Sequence, residues 1–406
     1  MKILFLSRWF PYPPDNGSKI RIFNLLKHLS TRHEVDLISF ATETVTEEQS
    51  GVMRRYCRRV EVVPYRPFQP GRFKAMLGFF SSQPRSVIDT HNIEMQWCVE
   101  RAHQERSFDA VIASQIDMAP YAISVSGAAR IFEEIELTTL YEQFVKQAQS
   151  LKKIRAGLTW WKLSHYLARL LHNFDGCTVV SEMERERVLQ VAPGYHSIGV
   201  IPNGVNTADY TASFDPPEAD TLVYSGALTY NANFDAVNYF LREILPLIRV
   251  ERPQVKLAIT GKLDGVPVDR LPVVKNNGVV LTGYLADIRP TITRSWISIA
   301  PLRLGGGTRL KILESLALGT PVVATCKGAE GLDLVPERDI LIADTPADFA
   351  AAVLRLLQDA PLREALSHNG RRAVETQYDW QIIGQQLNNF IETIVAQSKP
   401  ELQLTY

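Results

Sequence analysis

Two patterns of hydrophobic and polar positions alternate along the chain. Short unbroken apolar runs, bounded by glycine, proline or small polar residues, have the length of strands buried on both faces. Between them lie longer stretches whose apolar residues recur every three or four positions, the period of an amphipathic helix. The first set of runs covers residues 2–7, 35–40, 60–65, 110–114, 129–132, 177–181 and 198–202, with helical patterns notably at 19–30, 88–105 and 140–172. A turn at Pro202-Asn203-Gly204-Val205-Asn206 and a polar linker, 211–220, follow. The second set has runs at 222–226, 255–260, 279–282, 296–302, 322–325 and 340–342, and helical patterns at 234–250, 310–318, 346–358 and 361–376. A last helix, 380–396, comes after a break at Tyr378-Asp379. Strand–helix alternation of this kind implies an α/β fold with parallel sheets covered by helices on both faces. A chain of 406 residues exceeds one ordinary core, so two such domains are expected.

Candidate chemistry concentrates in the second set, from Pro301 to Ala324. An apolar run ends in Gly305, Gly306 and Gly307, and a helix with Leu310, Leu313, Leu316 and Ala317 on one side follows. Gly319 and Pro321 supply its stop signals. Glycines before a helix N-terminus leave backbone N–H groups open to an anion, and the helix dipole favours negative charge there. Arg309 and Lys311 add cations suited to a diphosphate, and Glu314, one turn beyond Lys311, is placed to accept hydrogen bonds from sugar hydroxyls. The alternative is an ordinary surface turn, with Glu314 a solvated carboxylate paired to Lys311. The chain lacks the G-x-x-x-x-G-K-[ST] phosphate loop and has no G-x-G-x-x-G after its first strand, which argues against ATPase and dehydrogenase readings.

Global charge adds little, because 44 basic residues balance 44 acidic ones and there is no pull toward nucleic acid. Local charge is uneven. Residues 52–85 carry eight basic side chains against the single acidic Glu61, interleaved with Phe68, Phe73, Met76, Leu77, Phe79 and Phe80. A second stretch holds Lys146, Lys152, Lys153, Arg155 and Lys162 beside Trp160 and Trp161. Basic residues with adjacent aromatics suit an anionic membrane surface; solvated helix faces with inward aromatics are the alternative. The N-terminal apolar run is too short for a signal peptide, and no segment approaches a membrane span. Cys57, Cys98, Cys177 and Cys326 form no C-x-x-C pair, which fits a cytoplasmic protein, peripheral on the inner face of the plasma membrane if the basic face is used. No carboxylate pair has convincing metal spacing; Asp89 and His91 are a weak candidate pair, and no metal is expected.

The order and spacing of several short motifs resemble a known family. They are Val179-Val180-Ser181-Glu182, Val200-Ile201-Pro202-Asn203-Gly204-Val205, Tyr224-Ser225-Gly226-Ala227, Leu281-Thr282-Gly283-Tyr284 and Leu313-Glu314-Ser315-Leu316-Ala317-Leu318-Gly319-Thr320-Pro321. Together they resemble GT-B-fold retaining glycosyltransferases of family four (glycosyl transferase group 1). The run Gly-Gly-Gly-Thr-Arg-Leu-Lys-Ile-Leu-Glu is similar to a sub-branch of bacterial exopolysaccharide clusters. The resemblance implies two Rossmann-like, doubly wound domains facing a cleft. An acceptor-side domain would span 1–204, a nucleotide-sugar donor domain 205–379, and the helix 380–396 would pack back on the first. It implies transfer of a hexosyl or related group from a nucleotide-diphosphate sugar to a hydroxyl, with retention and without cofactor or metal. Arg309 and Lys311 become the catalytic cations. Glu314 matches the ribose-holding second glutamate of E-x7-E; Gly306, Gly307, Thr308 and Gly226 fall at the donor diphosphate, and Gly283 and Tyr284 at the base. Gly17, a donor-binding candidate, matches the glycine loop before the first helix, which in the family lies across the cleft from the donor phosphates and near the acceptor; Ser18 beside it is an acceptor-side candidate.

Three departures stand out. Gly306 replaces the first glutamate of E-x7-E, which in relatives contacts the donor sugar. The Arg and Lys usual after the first strand of the second domain are missing, and Asn231 and Asn233 occupy that region. The histidine common after the strand at 110–114 is absent; Gln115 and Asp117 stand there, and with Glu133 and Glu134 after the next strand they are the acceptor-side candidates. These departures keep open a sugar-nucleotide epimerase or hydrolase of the same fold, and a catalytically silent partner of another transferase. The expected acceptor is a lipid-linked oligosaccharide or another saccharide.

Overall fold

The computed structural model describes residues 1–145, 150–211, 214–272, 278–307 and 309–398. Contacts divide the chain into two units, one formed by Met1–Pro202 with the stretch from Ile383 onward, the other by Asn203–Ile382.

The first unit holds a seven-stranded sheet of β1 (Lys2–Ser7), β2 (Glu34–Ala41), β3 (Arg59–Pro64), β4 (Ala110–Ser114), β5 (Ala129–Ile135), β6 (Gly176–Val179) and β7 (Ile198–Val200), in the order β3-β2-β1-β4-β5-β6-β7. The second holds β8 (Glu218–Ser225), β9 (Lys256–Thr260), β10 (Val279–Gly283), β11 (Ser295–Ala300), β12 (Val322–Ala324) and β13 (Leu341–Ile342), in the order β10-β9-β8-β11-β12-β13. Each sheet pairing is parallel. Parallel strands need helical crossovers that cover both faces, which explains why the central strands are mostly apolar, with charged residues mainly at edges and strand ends such as β3 and the start of β8. β4 is buried along its whole length, and Leu4, Leu6, Ile38, Val111 and Phe132 share one core cluster. Strand order reverses between β1 and β4 in the first sheet and between β8 and β11 in the second. Loops leaving those strand ends diverge, and ligands of doubly wound sheets bind in the crevice so formed.

Helix boundaries differ from the sequence expectation where a local feature interrupts the periodicity. The pattern at 88–105 is two helices, Arg85–Thr90 and Ile93–Glu105, because the Asn92 side chain caps the second by accepting from the Glu94 N–H at 2.8 Å. The pattern at 140–172 is Thr138–Val145 and Ser150–Leu171; residues 146–149, with the basic candidate Lys146, lie outside the described residues. At 234–250 the helix Asn231–Tyr239 passes through a wide turn, Phe240–Ile244, before Leu245–Glu251. Pro246 has no N–H to donate, and the Leu245 N–H bonds the Phe240 carbonyl five residues back. The linker expected at 211–220 is shortened because β8 already begins at Glu218.

The C-terminal helix, Trp380–Ser398, lies against the first unit where side chains are missing. A Cβ on Gly199 would sit 2.9 Å from the Phe390 ring, and one on Gly384 would sit 2.4 Å from His28. On the same helix as His28, Gly17–Leu29, Arg21 is fully buried. Its Nε donates to Glu133 at 2.6 Å, and its Nη1 donates to the carbonyls of Ile201 and Pro202 at 2.9 and 3.2 Å. One side chain thus joins the first helix, the end of β5 and the segment after β7.

Removing one partner of a buried ion pair leaves the other charge uncompensated. Arg21→Ala is expected to lower the stability of the N-terminal unit by about 3–5 kcal/mol, with Arg21→Met/Glu133→Gln recovering part of the loss. Urea unfolding of the three proteins checks this.

Candidate active site

The helix Leu310–Ala317 buries Ile312, Leu313, Leu316 and Ala317 and leaves Lys311 and Glu314 half-buried on its other side. Its entry is the glycine turn after β11, where Gly305 and Gly307 take φ values of +92° and +81°. A Cβ on Gly305 would also fall 2.9 Å from the Ala232 Cβ and 3.0 Å from the Tyr230 hydroxyl, so this position needs glycine twice over. The turn's carbonyls point inward and require donors. Arg309 supplies them. Its guanidinium is 5% exposed and donates to Gly306 O at 3.0 Å, Gly305 O at 2.8 Å and Lys327 O at 3.1 Å, with Glu330 at 3.7 Å. Expected to face a diphosphate, Arg309 is instead turned toward the backbone of its own loop.

Lys311 goes the other way. Its Nζ lies 2.8 Å from Asn233 Oδ1 and 2.9 Å from the Tyr224 hydroxyl, with the charge 4.2 Å from the centre of the Tyr224 ring. The Tyr224 hydroxyl donates to Asn233 Oδ1 at 2.8 Å, and Asn233 Nδ2 donates to Ala227 O at 2.8 Å. The ammonium therefore rests at the carboxyl end of β8, beside Gly226. A Cβ on Gly226 (φ +149°) would fall 2.7 Å from Lys311 Nζ, so only glycine leaves the cation uncovered. Burial, with Arg309 nearby, pushes the Lys311 amine down to about 7. The shift disfavours the charged form by on the order of 5 kcal/mol, a penalty that an incoming anion would offset.

Glu314, one turn on, receives a long hydrogen bond of 3.5 Å from the Tyr210 hydroxyl, and burial pushes its carboxyl up to about 7. Gly306 offers its carbonyl to Arg309. Thr308 lies outside the described residues. Gly283 ends β10, and its carbonyl accepts from the Gly261 N–H at 2.9 Å; Tyr284 beside it is 68% exposed, with Lys262 Nζ 5.7 Å from its ring. Gly226, Lys311, Glu314 and the glycine turn thus gather at the strand-order reversal of the second sheet, whereas Gly283 and Tyr284 sit at its β10 edge.

The donor-binding candidate Gly17 and the acceptor-side candidates fall in the first unit. Gly17 and Ser18 open the helix Gly17–Leu29, capped by Asn16, whose side chain accepts from the Lys19 N–H at 3.1 Å. Glu133 is held between Arg21 and the Ser114 hydroxyl, each at 2.6 Å. Glu134 and Gln115 both take positive φ, +61° and +73°, and the Gln115 amide donates to Glu134 at 3.3 Å. Burial, and then the charge of Glu133, raises the Glu134 carboxyl. Asp117 pairs with Arg8 at 3.1 Å, and that guanidinium lies 3.2 Å over the Tyr65 ring and 4.2 Å from the centre of the Trp9 ring. Sequence reasoning assigned no role to Arg8 or Arg21, and marked Tyr224 only as part of a family motif and Tyr65 only as one aromatic of the basic stretch; proximity to strand ends was the signal for their contacts. Asp89 and His91 do not converge: Asp89 accepts from the Gln69 N–H at 3.0 Å, while His91 stacks on Tyr121. Among the described residues no three His, Cys, Asp or Glu side chains group as metal ligands.

Comparison with known proteins places the chain in a family. Residues 15–209 match the Glycosyltransferase Family 4 model, and residues 219–359 match Glycosyl transferases group 1. Over 397 residues, 93% of this chain and 96% of the relative, the chain is 22% identical to an uncharacterized 44.6 kDa protein in the cps region of Klebsiella pneumoniae. Over 153 residues, 36% of this chain and 40% of the relative, it is 29% identical to the capsular polysaccharide biosynthesis glycosyltransferase CapM of Staphylococcus aureus. The Anabaena Alr3699/HepE structure in complex with UDP superposes with a TM-score of 0.67 at 15% identity, covering 97% of this chain and 100% of that one. With two Rossmann-like parallel sheets and both matching domains in order, the chain belongs to the GT-B-fold glycosyltransferases of family four.

Proposed function

We propose that this glycosyltransferase moves a hexosyl or related group from a nucleoside-diphosphate sugar to a hydroxyl of a saccharide acceptor, with retention, in the building of a cell-surface polysaccharide. The placement of Lys311 carries the reading. The cation missing from the segment after β8 is restored at the end of that same strand from the helix Leu310–Ala317, with Asn233 and Tyr224 holding it. HepE, which shares the fold, was captured with UDP, and the CapM relative acts in capsular polysaccharide biosynthesis.

The chemistry needs no nucleophile from the protein. As the bond from the sugar to the diphosphate breaks, negative charge develops on the leaving phosphate. The acceptor hydroxyl attacks the same face and passes its proton to that phosphate. Lys311 and the amides of the glycine turn stabilise the developing charge. Arg309 holds the turn in shape, and Glu314 accepts the ribose hydroxyls. A metal has no assigned part in this scheme.

The basic aromatic surface supports work at a membrane. Phe79 and Phe80 are 64% and 93% exposed, and Lys162 on the helix Ser150–Leu171 donates to Gly78 O at 2.5 Å. That bond joins the aromatic segment to the helix bearing exposed Leu151, Ile154, Leu158 and Trp161 and the cations Lys152, Lys153 and Arg155. No helix among the described residues is long and apolar enough to cross a membrane.

Two outcomes test the reading. In a screen of UDP-, GDP-, ADP- and dTDP-sugars, one donor class should bind the wild type, and Lys311→Met should lower kcat/KM for that donor by roughly 10²–10³-fold. Anion binding favours the ammonium, whose population falls as pH rises through about 7. Donor affinity should therefore fall above that pH by up to about tenfold per pH unit, flatten in Lys311→Arg and persist in Glu314→Gln. Calorimetric titration across pH reads this, and donor binding without sugar release to any acceptor would favour the silent-partner reading. Separately, vesicle sedimentation should show binding to anionic but not zwitterionic lipid, weakened by about tenfold or more in Phe79→Ser/Phe80→Ser.

A further inference from the structure

Beside the end of β3 lies a cavity of about 920 Å³, within the range of small-ligand sites. Asp89 and Arg72, paired at 3.4 Å, line it, and the buried Asp89 carboxylate also pins the incoming loop through the Gln69 N–H. Asn92 lines it too, its amide donating to Pro64 O at 3.3 Å and its backbone N–H to the Tyr121 hydroxyl at 2.8 Å. The pocket therefore has a hydrogen-bonded lining rather than a loose loop surface.

The rest of its lining joins Thr90, His91, Ile93 and the exposed carboxylate of Glu94 to two kinds of group suited to a ligand. Trp97 and Phe73 present aromatic rings that are 66% and 75% exposed. Arg66 and Lys74 are exposed cations that make no ion pair among the described residues. Aromatic rings beside polar groups suit a pyranose, whose C–H face packs on the ring while its hydroxyls meet the amide and carboxylate. Two uncommitted cations at the same opening suit a phosphate or carboxylate. A purely apolar ligand would leave those cations facing it, and a simple inorganic anion would leave the aromatic rings unused.

We propose that this pocket binds a saccharide bearing an anionic group, with its ring on Trp97 and Phe73 and its charge on Arg66 and Lys74. That the bound saccharide is the acceptor rests on the transferase reading above; the binding itself does not. The pocket opens at the carboxyl end of a strand of the first sheet, where doubly wound folds take their ligands. Phe73 and Lys74 also belong to the basic aromatic surface, so a sugar phosphate tethered to a lipid would reach it from that surface.

The test is a calorimetric titration of the full chain without donor, so that it reports the pocket whether or not transfer occurs. Glucose 1-phosphate should bind roughly tenfold more tightly than methyl glucoside. Arg66→Ala/Lys74→Ala should erase that preference, and Trp97→Ala should weaken both sugars. Both sites are exposed, and unchanged thermal melting confirms folded variants. Tighter binding of farnesyl diphosphate-linked glucose, lost in the same variants, assigns a lipid-linked source; equal binding assigns a soluble one, and both support the pocket. Inorganic phosphate binding as well as glucose 1-phosphate would overturn a saccharide site, as would wild type and double variant binding alike. A protein that transfers sugar yet fails this titration loses the pocket and keeps the transferase reading.

Discussion

The donor-side geometry depends on where one helix begins. The helix Leu310–Ala317 is fixed laterally by burying Ile312, Leu313, Leu316 and Ala317, but its start is set by the glycine turn, and the turn is held by the Arg309 guanidinium bonded to Gly305 and Gly306 carbonyls. Leaving those carbonyls without a donor would cost about 1–3 kcal/mol each, enough to move the turn rather than tolerate the vacancy. Once Arg309 occupies that place, Lys311 two residues on faces the opposite direction and reaches the end of β8. Two cations of the same stretch thus take different work: one holds the glycine turn, and the other stands at the end of β8, where the proposed anion site lies.

The end of β8 is prepared to receive that charge. Tyr224 and Asn233 bind the amine, Asn233 is itself held by Ala227 O, and Gly226 leaves the space above it clear. A lysine pushed down to about 7 by burial responds to an arriving anion, because the ligand restores the ammonium that burial disfavours. Glu314, raised to about 7 by the same burial, keeps a second titrating group one turn away on the same helix. In the first unit the corresponding strand ends carry Glu133 clamped by Arg21 and Ser114, and Gln115 and Glu134 in left-handed backbone conformations. Such conformations cost of order 1–3 kcal/mol and persist only where surrounding structure over-determines them.

The strands were legible because a parallel sheet buried on both faces needs continuous apolar runs, and each of the thirteen runs corresponds to a strand. Helix existence was equally legible; helix continuity was not. Asn92 capped a new helix inside one apparent pattern, and Pro246 widened another without ending its periodicity. At the site, composition announced two cations and a carboxylate but not their directions. Lys311 meets Tyr224 and Asn233 across 87 and 78 residues of sequence, a juxtaposition that only strand order determines. Arg309 carried the same charge signal and turned inward, because the carbonyl demand of a glycine turn is invisible to residue spacing.

In the proposed mechanism the Lys311 ammonium is the cation that meets the donor diphosphate. Its most direct test is an NMR titration of the Lys311 Nζ resonance in ¹⁵N-lysine-labelled protein, assigned by Lys311→Arg, with and without the bound nucleotide. The expected midpoint lies near 7 in the free protein and moves upward when the nucleotide binds. An ordinary lysine midpoint of about 10.4, unmoved by nucleotide, would contradict it.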